Sequence, residues 1–234
     1  MDLKKLKEIV YQENLALVKN DLVILTWGNV SMVDREKGYF VIKPSGVDYD
    51  KLKADDMVVV SLKTGKVINS KYNPSSDTPT HLELYRKWNK IGGIVHTHST
   101  FATAFAQAGK DIIPLGTTHA DTFYNAVPCG EKLTRKEIEK DYELNTGKAI
   151  IRTFKKRRLD YLATPAILLE SHGPFSWGKD AHEAVKNATT LEAVAKMNFL
   201  TMVINTRVNV INKFLSDKHY NRKHGKNAYY GQKK

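Results

Sequence analysis

The stretch Gly92-Gly93-Ile94-Val95-His96-Thr97-His98-Ser99-Thr100 ends an apolar run with two histidines one residue apart. A short apolar run behind a pair of glycines reads as a buried strand. The strand period of two puts His96 and His98 on one face and Val95 and Thr97 on the other. Such a pair is either the ordinary polar end of a strand or half of a metal site. Zinc needs three or four nitrogen, oxygen or sulfur ligands, so the second reading requires partners elsewhere in the chain.

The flanking sequence sets the fold class. Upstream, Ser75–Trp88 predicts a helix with Thr78 as its N-cap, Pro79 at the first helical position and an end near Trp88. Downstream, Thr100–Gly109 predicts a short helix. Gly28–Asp34 and Gly38–Gly46 read as strands, the second closed by Pro44-Ser45-Gly46. Asp55–Ile68 predicts a strand, a Thr-Gly turn and a second strand. Leu3–Lys19 predicts a helix with Leu3, Leu6, Val10 and Leu17 on one side. Glu131–Glu143 reads as a charged helix and Ala166–Glu170 as another buried strand. Asp180 caps a long helix reaching about Val203, and a further helix leads into a polar tail. Strands and helices alternate through short connections, without repeats or low-complexity blocks. The expectation is one compact α/β domain over residues 1–234.

Composition narrows the setting. Cys129 is the single cysteine, so no internal disulfide forms, and a reducing cytoplasm is the expected location. The charged, amphipathic start lacks a signal-peptide core, and no run of 18 apolar residues exists to span a membrane. The net charge of +12 raises the question of nucleic acid. Residues 213–234 hold seven Lys or Arg against one Asp, and Lys155–Arg158 hold four more. Charge concentrated in a tail and one cluster reads as solvated basic surface, not a duplex-binding face. No nucleic-acid or membrane partner is expected, and a small anionic ligand would gain from the field.

Other segments carry possible chemistry. His172 follows the Ala166–Glu170 strand and precedes Gly173-Pro174, so it sits at a strand's carboxyl end, where α/β sheets bind ligands. It is either a solvated turn residue or the third imidazole. Asp77 stands before a helix start, where acids often serve the backbone. Ser75 and Ser76 beside it could hold a phosphate while the carboxylate faces a metal. Gly28 and Gly46 allow close backbone approach, and Asn29, Lys43 and Ser45 add donors that suit a phosphate monoester. His119 and Asp121 lie in a polar stretch after Ile113-Pro114, and one of them could transfer protons. There is no Gly-x-Gly-x-x-Gly for a dinucleotide and no phosphate-binding P-loop, and His182-Glu183 lacks a zinc protease's second histidine.

Taken in order, TWGNVS (Thr26–Ser31), VIKPSGVDY (Val41–Tyr49), PSSDTPTH (Pro74–His81), GGIVHTHS (Gly92–Ser99), GTTHADTFY (Gly116–Tyr124), SHGPFSWG (Ser171–Gly178) and DKHYNRKHGKNAYYGQ (Asp217–Gln232) resemble the L-ribulose-5-phosphate 4-epimerases. These form a branch of the class II aldolase/epimerase superfamily, beside the fuculose- and rhamnulose-phosphate aldolases. The resemblance covers nearly the whole chain and is weakest over residues 147–165. GTTHAD and AYYGQ separate the epimerase branch from the aldolases.

The resemblance implies a three-layer αβα domain around a mostly antiparallel or mixed sheet. It implies zinc, with manganese or cobalt as substitutes, on His96, His98 and His172, with Asp77 as the acidic metal-site residue. Phosphate contacts fall on Gly28, Asn29, Ser45, Gly46, Ser75 and Ser76, with Lys43 nearby. The acid/base pair falls on Asp121 and Tyr230. It implies a homotetramer with active sites between subunits, Tyr230 and the tail from about residue 213 serving a neighbour. The implied reaction interconverts L-ribulose 5-phosphate and D-xylulose 5-phosphate by retro-aldol cleavage and re-addition at C3–C4. The alternative is a class II aldolase releasing dihydroxyacetone phosphate.

Overall fold

A computed structural model of the chain describes residues 1–68 and 70–231. Its centre is a sheet of β1 (Gly28–Asp34), β2 (Tyr39–Ile42), β3 (Val58–Ser61), β4 (Gly93–Thr97), β5 (Cys129–Gly130), β6 (Ala166–Leu169) and β7 (Pro174–Gly178). The strand order is β3-β2-β1-β4-β7-β6-β5. All neighbours are antiparallel except β5 and β6, which are parallel.

Both faces are covered, and the alternation within each strand shows how. Phe40, Ile42, Val58, Val60, Ile94, Ile167, Phe175 and Trp177 join one core with Leu82, Tyr85, Ile150 and Phe154. Those helical residues come from α2 (Thr78–Lys87) and α6 (Tyr142–Arg157). Val30 and Val95 point the other way, into α1 (Leu3–Lys19) and α7 (Ala181–Ile204), through Leu17, Ala181, Ala184 and Val185. Val41 and Val59 meet Leu6 and Val10 of α1. Ala166 and Leu168 meet α7 and α3 (Thr100–Gln107). This is the expected three-layer α/β domain with a mixed sheet.

Gly92 and Gly93 have a physical reason to be there. A Cβ on Gly92 would lie 1.9 Å from the Lys179 carbonyl oxygen, and one on Gly93 would lie 2.4 Å from the Asp180 carbonyl. Only bare backbone lets the start of α7 cross β4. Asp180 caps that helix as expected, its carboxylate accepting from Glu183 N at 2.8 Å.

Several expectations need correction. Lys66–Ile68 is no strand; it makes one isolated bridge, Val67 to Val60. Asp77, not Thr78, is the N-cap of α2, and Thr78 instead donates its hydroxyl to the Ser75 carbonyl at 2.6 Å. Leu3 is exposed, and the buried side of α1 includes Asn14, which bonds the Val10 and Val30 backbone. Glu131–Glu143 is not one helix: a short α5 (Arg135–Glu139) ends before α6 begins, because Asp141 turns left-handed between them. Pro174 does not sit in a turn but opens β7, which hairpins back on β6. Thr117–Ala120 forms a short α4, and Lys213–His224 forms α8. Gln232–Lys234, the last part of the expected inter-subunit tail, lie outside the described residues.

Candidate active site

His96 lies on β4, on the same face as Ile94, and its ring stacks on Phe175 of β7 at 4.2 Å and 19°. Its Nδ1 is 2.9 Å from the Pro174 carbonyl, which accepts when that nitrogen is protonated. Nε2 is thereby left toward the cavity. His98 follows the last residue of β4, and its Nε2 is 3.2 Å from His96 Nε2. His172 arrives on the turn between β6 and β7, with Nδ1 3.3 Å from the Tyr142 hydroxyl. One ring nitrogen from each histidine lies within 4.8 Å of the others. A Cβ on Gly173 would lie 2.8 Å from the Thr97 carbonyl oxygen and 3.6 Å from both neighbouring imidazoles, so bare backbone is what lets the turn close on the cluster.

The electrostatics suit a cation. Burial holds His172 down at about 4, with His96 adding to the effect, and burial likewise lowers His98. Both rings are neutral near pH 7, the form a metal requires. Two ring nitrogens facing at 3.2 Å repel unless a proton or a cation lies between their lone pairs. Three convergent imidazoles are a zinc-type donor set, so the residues fit such an ion.

Asp77 completes this side. Its carboxylate does not cap α2; Oδ2 accepts from Asn29 Nδ2 at 2.8 Å and from the Ser75 hydroxyl at 3.4 Å. Burial raises its pKa, but the imidazoles of His96 and His81 and the Asn29 amide outweigh that, and the carboxyl stays below its ordinary value. Asn29 is itself placed by register, directly opposite His96.

All these groups line one cavity of about 350 Å³. Gly28 and Asn29 enter from β1, Lys43, Ser45 and Gly46 from the end of β2, and Ser75, Ser76 and Asp77 from the start of α2. Lys43 is buried, donates to the Val47 carbonyl at 2.7 Å, and is held near pKa 8 by burial. The metal-ligand and phosphate residues inferred from sequence therefore share one wall-to-wall site. Tyr142 and Glu143, at the start of α6, line it too and were missed. Their only signal was Asp141, an N-cap type of residue read as helix interior.

Asp121 and Tyr230 are elsewhere. Asp121 follows α4 and accepts from Arg222 at 2.7 and 3.1 Å and from Lys223 at 3.2 Å, with His219 Nδ1 at 3.0 Å. Burial opposes ionisation there, but Arg222, His219 and Lys223 prevail and hold the pKa down. Tyr230 is 61% exposed, with Lys223 Nζ 4.4 Å and the Arg222 guanidinium 4.9 Å from its ring centre. The two residues share one basic patch on α8, and neither lines the histidine cavity of its own chain.

Comparison with known proteins agrees with this geometry. An L-fuculose 1-phosphate aldolase is 26% identical over 92% of this chain and 94% of its own, with a TM-score of 0.77. The Escherichia coli protein YgbL shares the fold at 22% identity over 92% and 98%, TM-score 0.73. The l-fuculose-1-phosphate aldolase of Thermus thermophilus does so at 24% over 87% and 98%, TM-score 0.68. The sequence profile of the Class II Aldolase and Adducin N-terminal domain matches residues 8–199, and the chain belongs to that family.

Proposed function

We propose that the chain is a metal-dependent epimerase that interconverts L-ribulose 5-phosphate and D-xylulose 5-phosphate. The observation carrying this reading is the convergence of three imidazole nitrogens within 4.8 Å at the edge of a cavity whose remaining wall is serine, glycine and lysine. One end suits a divalent cation and the other a phosphate. By the family resemblance, an aspartate at position 77 favours the epimerase, an aldolase being expected to use glutamate there.

His96, His98 and His172 would hold the ion, with Asp77 beside them. When bound, a divalent cation supplies Lewis-acid polarisation of the sugar's C2 carbonyl and C3 hydroxyl. Zinc fits the three imidazoles, and manganese or cobalt could replace it.

The rest follows from the sugar and the side chains. The C4 hydrogen is not next to the C2 carbonyl, so simple deprotonation at C4 is ruled out. Inversion proceeds instead through the C3–C4 bond. A base takes the C4 hydroxyl proton, the O–H electrons form the C4 carbonyl, and the C3–C4 pair moves toward C2. Dihydroxyacetone enediolate and glycolaldehyde phosphate result. Ser45, Gly46, Ser75 and Ser76 keep the phosphate in place while the aldehyde turns its other face, and the bond reforms. Lys43 contributes positive charge at that end. Two proton carriers are needed, one for each face, and Asp121 and Tyr230 fill these roles. Both sit away from their own chain's cavity, so they would serve a neighbouring subunit's site, in a homotetramer with α8 and the tail at the interface.

The second reading, a class II aldolase releasing dihydroxyacetone phosphate, is favoured by the 26% identity to the fuculose-phosphate enzyme. Product analysis separates them. Incubation with L-ribulose 5-phosphate is expected to yield D-xylulose 5-phosphate with little free glycolaldehyde phosphate. Dihydroxyacetone phosphate from L-fuculose 1-phosphate, with no conversion of the pentulose, would establish the aldolase instead.

A further inference from the structure

We propose that Tyr142 is a positioning residue that fixes which nitrogen His172 offers to a cation. The inference rests on the metal-site reading above. A neutral imidazole has one N–H and one lone pair, and a partner on one nitrogen decides the role of the other. His96 has such a partner in the Pro174 carbonyl, and Phe175 stacks on its ring. His172 stands on a turn, between Ser171 at φ +62° and Gly173, and lacks the grip of a strand. The contact at its Nδ1 is the Tyr142 hydroxyl, 3.3 Å away. A hydroxyl can accept or donate; with Nδ1–H donated to that oxygen, Nε2 is the lone-pair nitrogen, and this is the tautomer expected here.

The surroundings of Tyr142 point the same way. It is the first residue of α6, a helix packed along α2, so its Cα is held by secondary structure. The preceding Asp141 takes φ +57° and ψ +46°, a left-handed conformation that aspartate tolerates better than most residues and that starts α6 at Tyr142. The ring is only half-buried. It stands between the histidine cavity and a second one of about 310 Å³ that also touches His172, Thr146 and Leu169. Its hydroxyl, at 3.3 Å from His172 Nδ1, is the polar atom that meets the histidine.

The test uses the full-length metal-free protein and zinc, with no sugar. Competition against a chromophoric chelator is expected to show Tyr142→Phe binding zinc about tenfold more weakly than wild type, the low end for loss of an outer partner of a metal ligand. Nitrogen-15 NMR of the metal-free wild type is expected to find His172 in the Nδ1–H form, and Tyr142→Phe is expected to mix the two tautomers. Unchanged zinc affinity in the variant would overturn the proposal. So would an Nε2–H tautomer in the wild type, a result that needs no variant to fold. Neither readout involves turnover, so a failure here is distinct from a failure of the epimerase reading.

Discussion

Around His96, His98 and His172 the chain supplies the surroundings from its own sheet: β4 carries His96, His98 follows directly at its end, the β6–β7 hairpin brings the third ring, and Phe175 and Pro174 hold His96. Around Asp121 and Tyr230 the chain supplies a short α4, an exposed α8 and a set of cations. In the first region His96 is buried, and burial lowers the pKa of His98 and His172. The second is half-open and strongly charged, and its tyrosine is mostly exposed. On the proposed reading, the difference teaches that one domain can build the cation-holding half of a site alone, while the residues proposed to carry protons are presented outward.

Two experiments sharpen that contrast. The larger effect is on activity. His98→Ala is expected to remove most bound zinc and lower turnover of L-ribulose 5-phosphate by roughly a thousandfold, about 4 kcal/mol of transition-state stabilisation. Asp121→Asn is expected to lower turnover by about a hundredfold, as loss of one acid/base group does, with zinc content unchanged. Metal analysis beside rate measurement checks both. Zinc loss in Asp121→Asn would erase the division between the two regions.

The smaller effect is on stability. A methyl on Gly93 meets the Asp180 carbonyl at 2.4 Å and the Ala181 Cα at 2.5 Å. Gly93→Ala is therefore expected to destabilise the fold by about 3 kcal/mol, because α7 has to move off β4. Gly116→Ala, at the start of α4, meets nothing within 4 Å. It is expected to change stability by about 0.5 kcal/mol or less. Urea denaturation reads both, and equal effects would contradict the picture of one rigid and one loosely packed region.

The same contrast governs what could be read from sequence. His96 and His98 were legible because a strand's period is local, and the Gly-Gly pair and apolar run marked the strand. The loops proposed to hold a phosphate stood out because small polar residues cluster at turns, and they line the cavity. Lys66–Ile68 misled because two β-branched residues, Val67 and Ile68, do not make a strand without a partner ladder. β7 was hidden because Gly173-Pro174 reads as a turn, whereas Pro174 opens the strand and its carbonyl is the group that faces His96. Tyr142 was hidden because its importance depends on a left-handed Asp141 and on a histidine 30 residues away. Asp121 stood out beside His119 as a proton-transfer candidate, but Tyr230 entered only through family resemblance, since nothing local says that α8 folds its cations around Asp121.

The most direct test of the central claim is turnover of L-ribulose 5-phosphate before and after metal removal. Purified protein is expected to carry about one divalent ion per chain, lose activity on dialysis against a chelator, and regain it when zinc, manganese or cobalt is returned. Full epimerase activity in protein shown by metal analysis to be metal-free would contradict the claim that the three histidines make the reaction possible by holding a cation.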